Sequence, residues 1–179
     1  MAYRWVNRSA GQNLPETAVT GGRDIDGSTI YVGRAFHNGD MIPAKVIPDK
    51  NIAYVCHNGE EHQKHDFEVL CKGEFEWEFS SNGAIPGDAV IAGQTSDGEP
   101  LYVGRVLHNG SQTVGKVGKK YKKKHDARSD RTKYLEFERT FKNEIINENI
   151  VFYRFNLATD AYTSPSTVRN CLSKTTKCS

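Results

Sequence analysis

Apolar and polar residues alternate with a period of two along much of the chain. From Thr29 to Phe36, Ile30, Val32 and Phe36 fall on one face while Tyr31, Gly33 and Ala35 fall on the other, the pattern of a strand buried on part of both sides. Asn38-Gly39 follows at once, and both residues accept the positive φ of a type I′ hairpin turn, so Met41 to Ile47 is predicted as the returning strand. Pro43 and Pro48 should mark an edge or a bulge in it. Ile52 to Cys56 reads as a further short strand, and Asn58-Gly59 as another turn. Phe67, Val69 and Cys71 alternate with Glu68 and Leu70, and Phe75, Trp77 and Phe79 with Glu74, Glu76 and Glu78, the latter a strand with one wet face. Residues 1 to 20, interrupted by Gly11 and Pro15, allow only short extended pieces, with a strand beginning at Ala18-Val19. Gly21 to Ser28 is dense in turn formers. No segment shows a convincing helical period. The prediction is an all-β protein, a two-layer sandwich or barrel.

The pattern occurs twice. Tyr31-Val32-Gly33-Arg34 recurs as Tyr102-Val103-Gly104-Arg105 and His37-Asn38-Gly39 as His108-Asn109-Gly110, an offset of 71 residues. Pro15 to Val19 likewise returns as Pro86 to Val90, and Trp5 as Trp77 with one residue of slippage. A duplicated unit of this size implies two halves, about 4–72 and 73–138, that complete one apolar core against each other. The likeness holds as far as Lys116-Val117. Tyr134 to Glu138 reads as the retained closing strand, and residues 139–179 as a C-terminal extension with one strand, around Asn149 to Phe155, before a polar end rich in Ser and Thr.

Composition narrows the function classes. A net charge of +2 and a pI near 8.3 do not call for a nucleic-acid partner. The local exception is Lys119 to Lys124, with Tyr121 inside it, which could make weak contact with an anionic surface, although a solvated loop is the plainer reading. The four cysteines (Cys56, Cys71, Cys171 and Cys178) do not form a disulfide framework. The first residues lack a secretory apolar stretch, so a cytoplasmic location is expected, with export by a non-classical route left open. Cys56, His57, His62 and His65 match no standard zinc spacing, and Asp24-Ile25-Asp26-Gly27 lacks the later ligands of a calcium loop, so neither metal nor cofactor is expected. No pair of acids identifies a raised-pKa acid opposite a nucleophile, and catalysis is not expected.

The Pro-x-x-Ala-Val element, Tyr31-Val32-Gly33-Arg34-Ala35 with His37 to Asp40, Ile42-Pro43-Ala44-Lys45-Val46, and Gly59-Glu60-Glu61-His62 before Phe67 to Leu70 together resemble the DM-nine repeat. The first copy fits throughout and the second up to Lys116. The resemblance implies a pseudo-symmetric all-β lectin directed at mannose-type glycans, working in microbial or cellular pattern recognition. It also implies that an acid in the turn before the Tyr-Val-Gly-Arg strand and a lysine in the following strand hold the sugar. These are Asp24 and Lys45 here; the second copy has Thr95 and Lys116, with Asp97 nearby.

A carboxylate and an ammonium suit the adjacent hydroxyls of a pyranose, accepting from some and donating to others. Local pairing leaves their meeting open. A two-residue Asn38-Gly39 turn puts Lys45 opposite Val32, and an Asp26-Gly27 turn would put Asp24 opposite Thr29, on the other face of an ideal sheet. A bulge, a longer loop or a strand from the other copy would have to bring the two together. A homodimer is compatible with the sequence. Two other readings are an intracellular interaction or stress-response module that binds no sugar, and the lectin part of a natterin-like pore-forming protein, which the tail weakly resembles.

Overall fold

The computed structural model describes residues 3–80, 84–108, 110–122, 132–138 and 150–155, with 119–122, 132–138 and 150–155 described as backbone. These residues form thirteen strands joined in one antiparallel sheet that folds around a shared core, as the alternation predicts. In chain order they are β1 (Arg4–Ser9), β2 (Thr20–Arg23), β3 (Thr29–His37), β4 (Asp40–Ile47), β5 (Ile52–His57), β6 (Glu60–Lys64), β7 (Asp66–Cys71), β8 (Phe75–Ser80), β9 (Ile91–Gln94), β10 (Pro100–His108), β11 (Ser111–Lys122), β12 (Thr132–Glu138) and β13 (Ile150–Phe155). A 3-10 turn, Pro48–Lys50, separates β4 from β5.

The β3–β4 hairpin has the predicted register. Asn38 and Gly39 take φ of 50° and 90°, His37 pairs with Asp40, and Lys45 lies opposite Val32. Asn58 and Gly59 close β5 onto β6 with φ of 54° and 77°. β4 is internal, not an edge. Its second neighbour changes from β9 at Met41 to β5 at Ala44, and Pro43 occupies the switch, where the ladder is already interrupted. Gly21 and Gly22 belong to a strand, not to the turn that composition suggests. A Cβ on Gly22 would sit 2.0 Å from the Gln112 carbonyl oxygen, and one on Gly93 only 1.9 Å from that of Met41, so each repeat keeps a glycine where the other repeat's strand crosses it.

The exchange runs both ways: β2 pairs with β11 and β4 with β9. Arg34 stacks on Trp5 at 4.5 Å and donates to the Ala92 carbonyl at 3.4 Å. Arg105 stacks on Trp77 at 4.1 Å and donates to the Gly21 carbonyl at 3.4 Å. The main core accordingly mixes Ile30, Val32, Ile47 and Leu70 with Val90, Ala92, Val103 and Val114.

β7 pairs with β1 and with Gly33 and Arg34 of β3. In the second repeat β13 holds that place, pairing with β8 and with Gly104 and Arg105 of β10. The strand read from sequence as the second repeat's closing one, Tyr134 to Glu138, instead lies beside β11 as β5 lies beside β4. A strand from the segment that sequence similarity leaves outside the repeats therefore completes the second one, a non-local pairing with no signature in the register of short motifs. The end of the lysine run, Lys123 and Lys124, and the Ser- and Thr-rich end of the chain with Cys171 and Cys178 lie outside the described residues.

Candidate functional site

Asp24 follows β2, which carries a bulge between Thr20 and Gly22. Its N–H donates to the Ser28 carbonyl at 2.9 Å and its carbonyl accepts from Gly27 at 3.0 Å, and Gly27 closes the turn with φ of 86°. The loop thus spans three residues, Ile25 to Gly27, and Asp24 faces Ser28 instead of the expected Thr29. The longer loop turns the carboxylate toward the 3-10 turn after β4. There Lys50 Nζ donates to Asp24 Oδ2 at 2.7 Å and reaches Asp26 Oδ2 at 2.8 Å. Asp24 Oδ1 accepts the Ile25 N–H at 2.9 Å. From the second repeat, the Ser111 hydroxyl lies 3.1 Å from the Arg23 carbonyl and 3.4 Å from Asp24 Oδ1.

Partial burial would raise the Asp24 pKa. The Lys50 and Ile25 hydrogen bonds, with the charges of Lys45 and Lys50, outweigh it and hold the carboxyl below its usual range. Lys50 and Ser28 hold Asp26 far below that range, and the two carboxylates push the Lys50 ammonium up in turn. All three groups are therefore charged at neutral pH.

Lys45, in the middle of β4, is 8% exposed. Its Nζ lies 2.9 Å from Glu61 Oε1 and 5.0 Å from the centre of the Tyr54 ring. The Glu61 contact lacks hydrogen-bond geometry, leaving Oε1 without a directed donor, so it is an ion pair. The structure thus places Asp24 and Lys45 within electrostatic reach of each other but gives each another direct partner. The result is a patch of two ammoniums and three carboxylates edged by Tyr54 and Ser111, able to offer both donors and acceptors to a polyol. Sequence reading missed Lys50, Tyr54, Glu61 and Ser111. Lys50 sits in a turn and Glu61 on an all-polar strand without periodicity, and Ser111 arrives from the other repeat.

The corresponding region of the second repeat differs. The Thr95 hydroxyl accepts the Glu99 N–H at 3.1 Å. Asp97 is exposed and Lys116 half-buried, and Tyr121 stands where the repeat offset would put a counterpart of Lys50. At the place of Ser111 this side has Asp40, whose Oδ1 accepts the Ser96 N–H at 2.8 Å. An acid thus reaches the second turn from the first repeat.

Two surface grooves have neither Asp24 nor Lys45 in their walls. One, of about 470 Å³, is lined by Arg8, Arg34, Phe36, Asp66 and Glu68 among others, and its charged groups already pair, Arg34 with Glu68 and Asp66 with the Ser9 hydroxyl. The other, of about 520 Å³, is lined by residues that include Leu14, Tyr31 and Pro48. Among the described residues no group of three or more His, Cys, Asp or Glu is arranged to hold a metal ion.

The strands, exchanged between tandem repeats, define a two-repeat all-β fold. The sequence profile of the DM9 repeat matches residues 24–125, and the chain belongs to the DM9 repeat family. Membership supports a carbohydrate-binding, lectin-like role at the level of the family. The fold is also similar to the crystal structure of the nematode sperm cell motility protein MFP2B, with a TM-score of 0.54 and 11% identity over 88% of this chain. The chain spans about half, 48%, of the length of that protein's chain. No curated protein sequence matches the chain.

Proposed function

We propose that this chain is a mannose-directed carbohydrate-binding protein that recognises microbial or cellular glycans without transforming them, and that the sugar seats in the first repeat between Asp24 and Lys45. The observation that carries the proposal is the ionised Asp24 carboxylate, held by Lys50 within electrostatic reach of Lys45 at the repeat junction. A vicinal diol can bridge such a pair, donating to the carboxylate and accepting from the ammonium, and hydrogen bonds to charged groups contribute about 1.5–3 kcal/mol each. Lys50 and Glu61 neutralise the two charges. The sugar exchanges against these partners, so single-site affinity is modest, on the order of millimolar or somewhat tighter, and clustering of sites supplies avidity.

A glycan array followed by calorimetry with Asp24→Asn and Lys45→Ala tests the reading. Mannose-type glycans should be retained by the wild type and lost by both variants; no sugar binding by the wild type, or unchanged binding by both variants, removes the assignment. An interaction module that uses the fold without a sugar is the second reading, favoured by the present saturation of both charges by protein partners, and pull-down of a protein ligand insensitive to mannose would establish it.

A further inference from the structure

Outside the Asp24 patch, the ends of three strands of the first repeat bring together three imidazoles. His37 ends β3, His57 ends β5 and His62 lies in β6. The His37 and His62 rings stack at 4.2 Å with 28° between their planes, and His37 meets His57 edge-on at 5.1 Å. His37 Nε2 and His57 Nδ1 are buried and have no hydrogen-bond partner. His37 stacks on one ring and meets the other edge-on, and among the described residues no group is arranged to hold a metal ion. The geometry points to a proton as the species this cluster responds to.

We propose that His37, His57 and His62 form a proton-operated latch that holds the edge strand β6 in place at neutral pH and releases it in acid. Neutral imidazoles can stack, whereas imidazolium ions at these distances repel one another and need water that the buried nitrogens lack. The surrounding charges compensate only in part. From β4, Asp40 Oδ2 lies 3.8 Å from His57 Nδ1, but its other oxygen is taken by Ser96 N–H of the second repeat, whose turn also carries the exposed Asp97. From β6, Glu60 is 4.0 Å from His62 Nε2, Glu61 is held by Lys45, and Lys64 adds a positive charge. Burial first, then Lys64 and the two neighbouring imidazoles, lower the His37 pKa against the opposing pull of Asp40. A histidine whose folded pKa is depressed leaves the unfolded state holding more protons. Its contribution to stability is therefore present above the ordinary value near 6.5 and is lost as pH falls below it.

β6 is placed to respond alone, because it pairs only with β5 among the described strands and ends the sheet, whereas β5 is laddered to β4 and buries Ala53 and Val55 in the core. Edge segments open at lower free energy than the core. β6 also carries Glu61, so release would withdraw it from Lys45. That consequence for ligand binding rests on the proposed sugar site; the latch itself rests on the imidazoles alone.

The test reads the hairpin directly, without sugar. Histidine ring-proton NMR titration and amide hydrogen exchange of the full chain are followed between about pH 7.5 and 5.0, with exchange corrected for its intrinsic pH dependence. The expected result is that the His37 ring titrates below the ordinary histidine value. Loss of protection should be about tenfold or more in β6 and much smaller in β5, β1 and β7. His62→Gln should blunt the differential loss, while His65→Gln, an exposed histidine outside the cluster, should keep it. A His37 ring that titrates at or above the ordinary value, or equal protection of β6 at both pH values, overturns the latch, and the wild type alone distinguishes these outcomes should His62→Gln fail to fold. A response that appears only when zinc is added also overturns it, in favour of a metal site.

Discussion

The two repeats share a backbone plan and differ in what they place on it. Each keeps a glycine under the other's crossing strand, a tryptophan under its arginine and an arginine reaching into the opposite repeat. These are the features that join the halves, and they occur in pairs. Asp24 and Lys50 are not duplicated, Thr95 and Tyr121 standing at their places, whereas Lys45 recurs as Lys116. The first repeat has Asp24 with Lys50, Lys45 with Glu61, and the imidazole cluster; the second has Thr95, an exposed Asp97 and the half-buried Lys116. Duplication thus preserved what closes the core and let the surface diverge, because a core contact depends on its symmetry partner whereas an exposed side chain does not.

The comparison can be broken most severely by separating the halves. The main core draws on both repeats, so residues 1–72 alone should be unstable or self-associating; a monomeric half with a sharp thermal transition would show that the repeats are independent. Next in size are Gly22→Val and Gly93→Val. Each new Cβ would fall on a backbone oxygen of the other repeat, so both should cost about 3 kcal/mol or more in denaturant unfolding, and by similar amounts. A cost confined to one of them would mean that the two junctions are not equivalent.

The sugar site should be unequal. Asp24→Asn should weaken mannose binding about tenfold or more, and Thr95→Ala should change it little, as measured by calorimetry. Equal losses would show that both repeats bind alike. Because its lowered pKa keeps Asp24 ionised at pH 5, any loss of binding between neutral pH and about pH 5 must come from another group. The smallest difference concerns the arginines. Glu68 pairs with Arg34 across β7 and β3, whereas β13 brings Val151 opposite Arg105. Glu68→Gln should cost about 1 kcal/mol or less, the pair being partly exposed, and should leave the second repeat's amide exchange unchanged. A loss spread over both repeats would reveal coupling through the shared core.

Several features were fixed by sequence alone. The repeat is visible in the residues themselves. The β3–β4 register follows from Asn38-Gly39, because few residue pairs accept two successive positive φ values, and that turn dictates Val32 opposite Lys45. Alternation located β3, β5, β7 and β8, since a strand with one buried face writes its period into the chain. Tertiary structure decided what had no local expression. β6 is polar throughout and becomes a strand only by pairing with β5. β13 lies far along the chain from β8 and β10, so no turn motif fixes their pairing. Gly22 reads as a turn former, yet it and Gly93 are required by backbone from the opposite repeat. Asp24 and Lys45 could be named from the family pattern, but their partners Lys50 and Glu61, the Ser111 hydroxyl and the meeting of three histidines arise from strand ends distant in sequence. Local backbone preferences act over a few residues, whereas these contacts are set by how a closed sheet brings distant edges together.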